Sequence, residues 1–97
     1  MTVAIEMEFA GGTAEQYDRV MELMGLTQDG PGPDGAIFHW VSVGPAGLHI
    51  VDVWETREQF EKFAAEQIGP YTARVGIEGA PSMTFYEVHN TFRPTTA

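Results

Sequence analysis

The sequence predicts an α+β fold with the element order β-α-β-β-α-β, in which two helices cover one face of a four-stranded antiparallel sheet. Four segments are rich in β-branched and aromatic residues, as strands are. Two Thr-x-x-Gln capping boxes each precede a segment with helical apolar spacing. The length of 97 residues leaves room for a single domain, 1–97.

The first part of the chain predicts a strand, a helix and a loop. Apolar side chains alternate over residues 3–9, the pattern of a strand with one buried face. A helix is expected after Thr13, because its hydroxyl and the Gln16 side chain can each satisfy a free backbone amide. Gly25 suits the left-handed end of that helix. Residues 26–35 contain two prolines and three glycines and are expected to be a loop.

The middle of the chain predicts a hairpin. Two apolar, β-branched runs, 36–43 and 48–55, flank the turn segment Gly44-Pro45-Ala46-Gly47. A symmetric turn over this segment places His39 opposite Asp52 on the neighbouring strand. The same register pairs Ile37 with Trp54, Val41 with Ile50 and Ser42 with His49.

The last part of the chain predicts a second helix and a final strand. Thr56 opens the second capping box, and the helix is expected to end at Gly69-Pro70. Its stripe of inward-facing residues consists of Phe60, Phe63 and Ala64 with Gln67 or Ile68. Residues 69–82 are expected to be an irregular loop with room for a short helical turn around Tyr71 to Val75, 83–90 a strand and 91–97 a C-terminal tail.

This element order corresponds to a ferredoxin-like sheet, with the strand order 4-1-3-2 when both crossovers are right-handed. Both faces of the central hairpin are apolar. One face carries Ile37, Val41, Val43, Leu48, Ile50 and Trp54, and the other carries Phe38, Trp40, Val51 and Val53. Two short helices can cover only one face, so the other is expected to pack against a second copy of the chain in a homodimer.

Composition excludes several classes of partner. Fourteen acidic residues against five basic ones give a net charge of −9, which repels nucleic acid and anionic membrane surfaces. The absence of cysteine excludes a thiolate metal site and a cysteine nucleophile. No apolar run approaches the roughly 18 residues of a membrane span, and the first residues include no basic segment, so a cytoplasmic protein is expected.

His39 and Asp52 are the candidate catalytic residues. Paired on an otherwise apolar face, the carboxylate would orient the imidazole and set its tautomer, as a general base requires. The alternative interpretation is a satisfied polar pair that only sets the register of the two strands. The histidines lack the local spacing of metal ligands, and there is no glycine-rich phosphate loop, so neither a metal nor a cofactor is expected.

Apolar and aromatic side chains predict a pocket between the helices and the sheet. The candidate substrate-binding residues are Trp54, Tyr71, Tyr17, Met21, Phe63 and His89. Apolar side chains at helical spacing more often belong to the hydrophobic core than to a binding site. A cleft lined by methionine and aromatic rings nevertheless suits a flat, hydrophobic small molecule.

Three features resemble the dimeric α+β barrel superfamily and, within it, small uncharacterised proteins near the antibiotic biosynthesis monooxygenase group. They are the element order, the segment Val51-Asp52-Val53-Trp54-Glu55-Thr56 followed by Phe60 and Phe63, and the segment Phe85-Tyr86-Glu87-Val88-His89-Asn90. The resemblance covers residues 3–93. It implies a two-fold dimer whose sheets close into a barrel, with one pocket per subunit between sheet and helices.

The resemblance also bears on activity. The cofactor-free oxygenases of this superfamily use an Asn, a Trp and a His or Tyr around an anionic aromatic substrate. Only Trp54 matches in kind, and the first strand lacks the Asn, which argues against quinone-forming oxygenation. The haem-degrading members carry their axial His on the second helix, where residues 57–68 contain none.

Two functions follow from these observations. The first is a cofactor-independent enzyme that acts on an aromatic or polyketide-like compound by monooxygenase-, isomerase- or cyclase-like proton transfer, with His39 as base or acid. The second is a non-catalytic ligand-binding or dimeric structural module.

Overall fold

The computed structural model describes residues 1–92, and its elements follow the predicted order. The strands are β1 (Val3–Ala10), β2 (Ala36–Gly44), β3 (Gly47–Trp54) and β4 (Ser82–Glu87). The helices are α1 (Ala14–Met24), α2 (Arg57–Phe63) and α3 (Gly69–Arg74), with a π-helical segment, Ala64–Ile68, between the last two. The predicted ferredoxin-like α+β class is confirmed. Residues 93–97 of the predicted tail lie outside the described residues.

The sheet has the predicted topology. Its strand order is β2-β3-β1-β4 with all neighbours antiparallel, which is the 4-1-3-2 order read from the other edge. His39 lies opposite Asp52, as the symmetric turn predicts. The predicted pairing of Ile37 with Trp54 is wrong, because a β-bulge at Ile37 places Ala36 opposite Trp54.

Side chains cap both helical stretches at their predicted starts. The backbone amide of Gln16 donates to the Thr13 hydroxyl at 3.2 Å, and the backbone amide of Thr13 donates to the side-chain oxygen of Gln16 at 3.0 Å. At the start of α2, the backbone amide of Gln59 donates to the Thr56 hydroxyl at 3.1 Å. Gly25 ends α1 with φ 76°, in the left-handed region that favours glycine.

The predicted end of the second helix at Gly69-Pro70 is wrong, and so is the start of the predicted loop at residue 69. Helical dihedral angles continue from α2 through the π-helical segment into α3. The Gly69 amide donates to the carbonyl of Ala64, five residues back, so the helix is wider at this point. The wider turn accommodates Pro70, which has no amide to donate and whose ring needs room against the preceding turn. The short helical turn expected around Tyr71 to Val75 corresponds to α3, and only residues 75–81 of the predicted loop lie outside helices and strands, because Ser82 begins β4.

The final strand is shorter than predicted. It ends at Glu87 instead of residue 90. The Val88 amide still donates to the carbonyl of Thr2 at 3.1 Å, but His89 and Asn90 lie beyond the strand.

The core lies between the sheet and the helices. Its buried side chains are Val3, Ile5, Met7, Phe9, Leu48, Ile50, Trp54, Phe60, Ile68 and Ile77. Alternate positions of β1 and β3 supply most of them, as the period-two pattern predicts. Trp54 is 1% exposed, and its ring packs edge-on against Phe60 and tilted against Phe63, with centroid distances of 5.7 and 5.2 Å.

The opposite face of the sheet is open within the described chain. Phe38 is 60% exposed, Tyr86 is 51% exposed and Trp40 is 40% exposed on this face. Val51 and Val53 beside them are half-buried. The second apolar face predicted from the hairpin is therefore present. We call it the outer face.

We expect Gly47→Ala to destabilise the domain by about 1–3 kcal/mol, the usual cost of a strained backbone. Gly47 has φ 132°, and a methyl group there would overlap the Phe9 carbonyl oxygen between β3 and β1. Gly44→Ala is the matched control across the same turn, because a methyl group there meets nothing within 4 Å. Urea unfolding should show a change of less than about 0.5 kcal/mol for that variant. An equal loss in both variants would contradict this account of the turn.

Candidate functional site

A cavity of about 820 Å³ lies between the inner face of the sheet, helix α1 and the loop after α1. Sheet side chains of its lining include Met7, Phe9, Leu48 and Ile50, and α1 contributes Tyr17, Val20, Met21 and Met24. Loop residues Leu26 to Pro33 also belong to the lining, a role that the sequence did not indicate for the predicted loop. The volume is within the range of small-molecule pockets.

Asp52 is the buried charge of this site. It lies on the inner face of β3 between Ile50 and Trp54 and is only 5% exposed. Its Oδ2 accepts a hydrogen bond from Trp54 Nε1 at 3.1 Å. Its Oδ1 lies 2.5 Å from Nδ1 of His39 across the hairpin. Both carboxylate oxygens are therefore partnered, as a buried carboxylate requires.

The imidazole of His39 connects this carboxylate to helix α1. Because a carboxylate can only accept, the Nδ1 atom carries the hydrogen, and Nε2 is the acceptor of the neutral ring. Nε2 lies 2.5 Å from the Tyr17 hydroxyl, and the two rings stack with a centroid distance of 5.9 Å. The His39 side chain is 38% exposed and lines the cavity, so a ligand can reach it. We call Tyr17, His39, Asp52 and Trp54 the polar chain.

The Tyr17 hydroxyl is held in its protonated form. Partial burial, together with the carboxylates of Asp52 and Asp18, raises the pKa of Tyr17 to about 12. The protonated hydroxyl therefore donates a hydrogen bond to Nε2 of the neutral His39 ring. The polar chain thus connects α1, β2 and β3.

Six of the eight predicted site residues belong to the cavity lining. They are His39, Asp52, Trp54, Tyr17, Met21 and Phe63. Tyr71 and His89 are not in the lining. Tyr71 lies on α3, where the lining residue is its neighbour Thr72, one turn after Ile68. His89 follows β4, which is the sheet edge opposite β2.

Sequence reasoning missed two contacts of the polar chain. The hydrogen bond from Trp54 to Asp52 had a signal, because residues two apart on a strand share a face. The contact of Tyr17 with His39 joins a helix to a strand across a separation of 22 residues. No local pattern indicates that contact.

A second histidine–carboxylate pair lies on the outer face. His49 Nε2 is 2.8 Å from Glu6 Oε2, and the Tyr86 hydroxyl donates to Glu6 at 3.2 Å. These hydrogen bonds lower the pKa of Glu6 and raise the pKa of Tyr86. The His49 ring also meets Trp40 edge-on, with a centroid distance of 5.4 Å. Ser42 lies opposite His49, as the predicted register requires.

Two structural observations concern metals and membranes. Within residues 1–92, no three His, Asp or Glu side chains are grouped as metal ligands would be. No helix of this part of the chain has the length and apolar character needed to cross a bilayer.

Comparison with solved structures shows a shared fold. A candidate antibiotic biosynthesis monooxygenase from Deinococcus radiodurans is similar with a TM-score of 0.60 at 16% identity, over 99% of this chain and 100% of the other. The monooxygenase ActVA-Orf6 of Streptomyces coelicolor, in complex with nanaomycin D, is similar with a TM-score of 0.54 at 19% identity, over 97% of this chain and 92% of the other. SnoaB, a cofactor-independent oxygenase from Streptomyces nogalater, is similar with a TM-score of 0.55 at 13% identity, over 96% of this chain and 97% of the other.

These likenesses establish the fold of the antibiotic biosynthesis monooxygenase-like α+β proteins, and the resemblance stated from the sequence is confirmed at that level. No family model and no curated protein matches the chain by sequence. Because one fold serves many reactions, the function has to be argued from the site.

We expect Tyr17→Phe to change the alkaline limb of the stability curve. The pKa of Tyr17 is about 12 in the folded chain against an ordinary value of 10, so the protonated phenol favours the folded state. This contribution is complete below pH 10 and is lost as the pH rises towards 12. Thermal unfolding should therefore show a steeper loss over that interval for the wild type than for Tyr17→Phe.

Tyr71→Phe is the matched control, because it removes a tyrosine outside the cavity lining. It should follow the wild-type curve. Superimposable curves for the wild type and Tyr17→Phe would show that the phenol is not held protonated by its surroundings.

Proposed function

We propose that this protein is a cofactor-independent enzyme that binds a hydrophobic aromatic or polyketide-like molecule in the cavity and moves a proton on it. One observation carries the proposal. A buried carboxylate, Asp52, is connected through the His39 imidazole to a phenol hydroxyl, and His39 and Tyr17 line an apolar cavity. The fold supports a small-molecule site, since similar structures include a monooxygenase with nanaomycin D bound and a cofactor-independent oxygenase.

The geometry suits a proton relay in which two proton transfers occur together. A proton of the substrate passes to the Tyr17 oxygen while the Tyr17 proton passes to Nε2 of His39, so the products are a substrate anion and an imidazolium. The raised pKa of Tyr17 keeps the negative charge off the phenol. Asp52 stabilises the imidazolium, and Trp54 holds the other carboxylate oxygen.

The substrate anion can then follow one of three courses. Return of the proton to a different atom isomerises the molecule. Attack of the anion on a carbonyl carbon within the same molecule cyclises it. Transfer of an electron from the anion to dioxygen begins oxygenation. All three need the same first step, which the polar chain supplies.

The exposure of His39 favours catalysis over the structural alternative. If the pair only set the strand register, the imidazole would be expected to be packed dry with no space beside it. The side chain is instead 38% exposed and lines the cavity.

The proposal includes a homodimer through the outer face. Phe38, Trp40 and Tyr86 are exposed there beside half-buried valines, and a two-fold copy would remove them from water. The hydrogen bonds of Glu6 to His49 and Tyr86 satisfy the carboxylate at the middle of this face. A second sheet can therefore pack there without burying an unpaired charge from Glu6.

Asp52→Asn should slow proton transfer by about a hundredfold, the lower end of general acid–base catalysis. The amide cannot stabilise the imidazolium, so the pH dependence should change as well. The assay is hydrogen–deuterium exchange at the acidic methylene of anthrone, a fused-ring aromatic ketone, followed by NMR in D₂O. Tyr17→Phe should slow exchange in the same way and provides a second variant that removes only a hydroxyl.

His49→Gln is the matched control for this assay. It removes a histidine that is also paired with a carboxylate, but on the opposite face of the sheet. Its exchange rate should equal that of the wild type. Wild-type rates in both Asp52→Asn and Tyr17→Phe, with folding intact by circular dichroism, would refute the relay.

Phe38→Glu should raise the dimer dissociation constant by at least about a hundredfold, because a two-fold interface would bring two like charges together. Sedimentation equilibrium at micromolar concentration should show a wild-type dimer and a variant monomer. Phe92→Glu is the control, because Phe92 is 94% exposed and lies outside the sheet. A well-folded wild-type monomer at that concentration would exclude the dimer.

A further inference from the structure

We infer that the cavity selects its ligand by charge. It takes an uncharged aromatic molecule that carries a hydroxyl group, and it rejects the counterpart that carries a carboxylate or phosphate. This inference rests on the proposed function, because it names the substrate class of the same cavity.

The charges of the lining are all of one sign. Among residues 1–92, four carboxylates line the cavity, Asp18, Glu22, Asp29 and Asp52, and no lysine or arginine does. Asp52 is buried and already engaged by the polar chain. The other three are exposed residues of α1 and of the loop after it.

Two of these carboxylates lack a cationic partner in the described part of the chain. Glu22 pairs with Arg19 at 3.2 Å on the surface of α1, which offsets its charge. Asp18 and Asp29 belong to no ion pair of residues 1–92. Asp18 is also among the charges that act on Tyr17, so its field extends to the polar chain. An entering anion therefore meets negative potential before it reaches the relay.

The interior of the cavity provides no interaction that compensates an anion for its lost hydration. Its lining is mostly aliphatic, aromatic and methionine side chains, and an ionised group loses its hydration there without a cation to pair with. The Trp54 indole N–H is already donated to Asp52. The net charge of −9 for the whole chain adds to the repulsion at low salt.

An uncharged ligand avoids these costs. Its rings can contact the apolar lining, and a ligand hydroxyl can donate a hydrogen bond to the Tyr17 oxygen, whose own hydrogen is directed to His39. Negative charge then develops on the substrate only when its proton has left, beside the imidazolium that His39 has become. The negative lining and the proton relay therefore both require a substrate that enters the cavity uncharged.

The experiment compares two probes with the same ring system, naphthalene-2-methanol and 2-naphthoate. Affinities for the full chain are measured by calorimetric titration at low ionic strength. We expect the carboxylate to bind at least about tenfold more weakly than the alcohol. The double variant Asp18→Asn/Asp29→Asn should reduce the ratio of the two dissociation constants, carboxylate over alcohol, by about three- to tenfold. Asparagine suits position 29, because the native φ of 59° lies in the left-handed region that Asn also adopts.

Glu58→Gln/Glu66→Gln is the matched control, since it removes the same net charge from exposed positions outside the lining. It should leave both affinities close to wild type. Recovery of 2-naphthoate binding in this control equal to that in the cavity variant would overturn selection by the lining.

The remaining outcomes separate the two proposals. Equal binding of both probes to the wild type would overturn charge selection and leave the proposed function standing. Binding of neither probe would overturn both, because the cavity would then not be a site for aromatic small molecules.

Discussion

A carboxylate buried in an apolar layer needs hydrogen-bond partners, and the satisfaction of Asp52 sets the geometry of this site. Leaving one buried charge unpaired costs several kcal/mol, so the positions of its partners are strongly constrained. One partner, Trp54, comes from the same strand, and the other, His39, comes from the neighbouring strand. Through its second nitrogen, His39 also meets Tyr17 on α1. The bonds that satisfy one charge therefore hold two strands and a helix in fixed relation.

The two histidine–carboxylate pairs show that surroundings, more than residue type, decide what a pair can do. His39–Asp52 and His49–Glu6 both join β3 to a neighbouring strand. The first has a buried carboxylate and an imidazole at a cavity wall, so a proton leaving a ligand has a path inward. The second lies on the outer face beside Trp40 and Tyr86, where it satisfies polar atoms on an apolar surface. The two environments lie on opposite faces of the same strand, because successive side chains of a β-strand point to opposite faces of the sheet.

The cavity results from how unevenly the helices cover the sheet. The stretch of α2, the π-helical segment and α3 supplies Phe60 and Ile68 to the core, and the Trp54 indole packs against Phe60 and Phe63. The inner face of β2 and β3 lies instead under α1 and the proline-rich loop after it, with space left between them. Close packing closes most interiors to voids larger than a water molecule, so a space of this size is a feature of the site. Its lining combines adaptable apolar groups with one polar chain, which is the composition of a small-molecule pocket.

The sequence by itself determined what depends on neighbours along the chain. Period-two alternation and the symmetric turn placed His39 opposite Asp52, and the capping residues Thr13 and Thr56 marked both helix starts. Only the tertiary structure decided what depends on packing between distant segments. It placed Tyr17 against His39, carried the second helix past Gly69-Pro70 and kept Tyr71 and His89 out of the cavity lining. The physical reason is that local hydrogen bonding and strand parity act over a few residues, whereas the angle of a helix over a sheet is set by the shapes of many side chains at once.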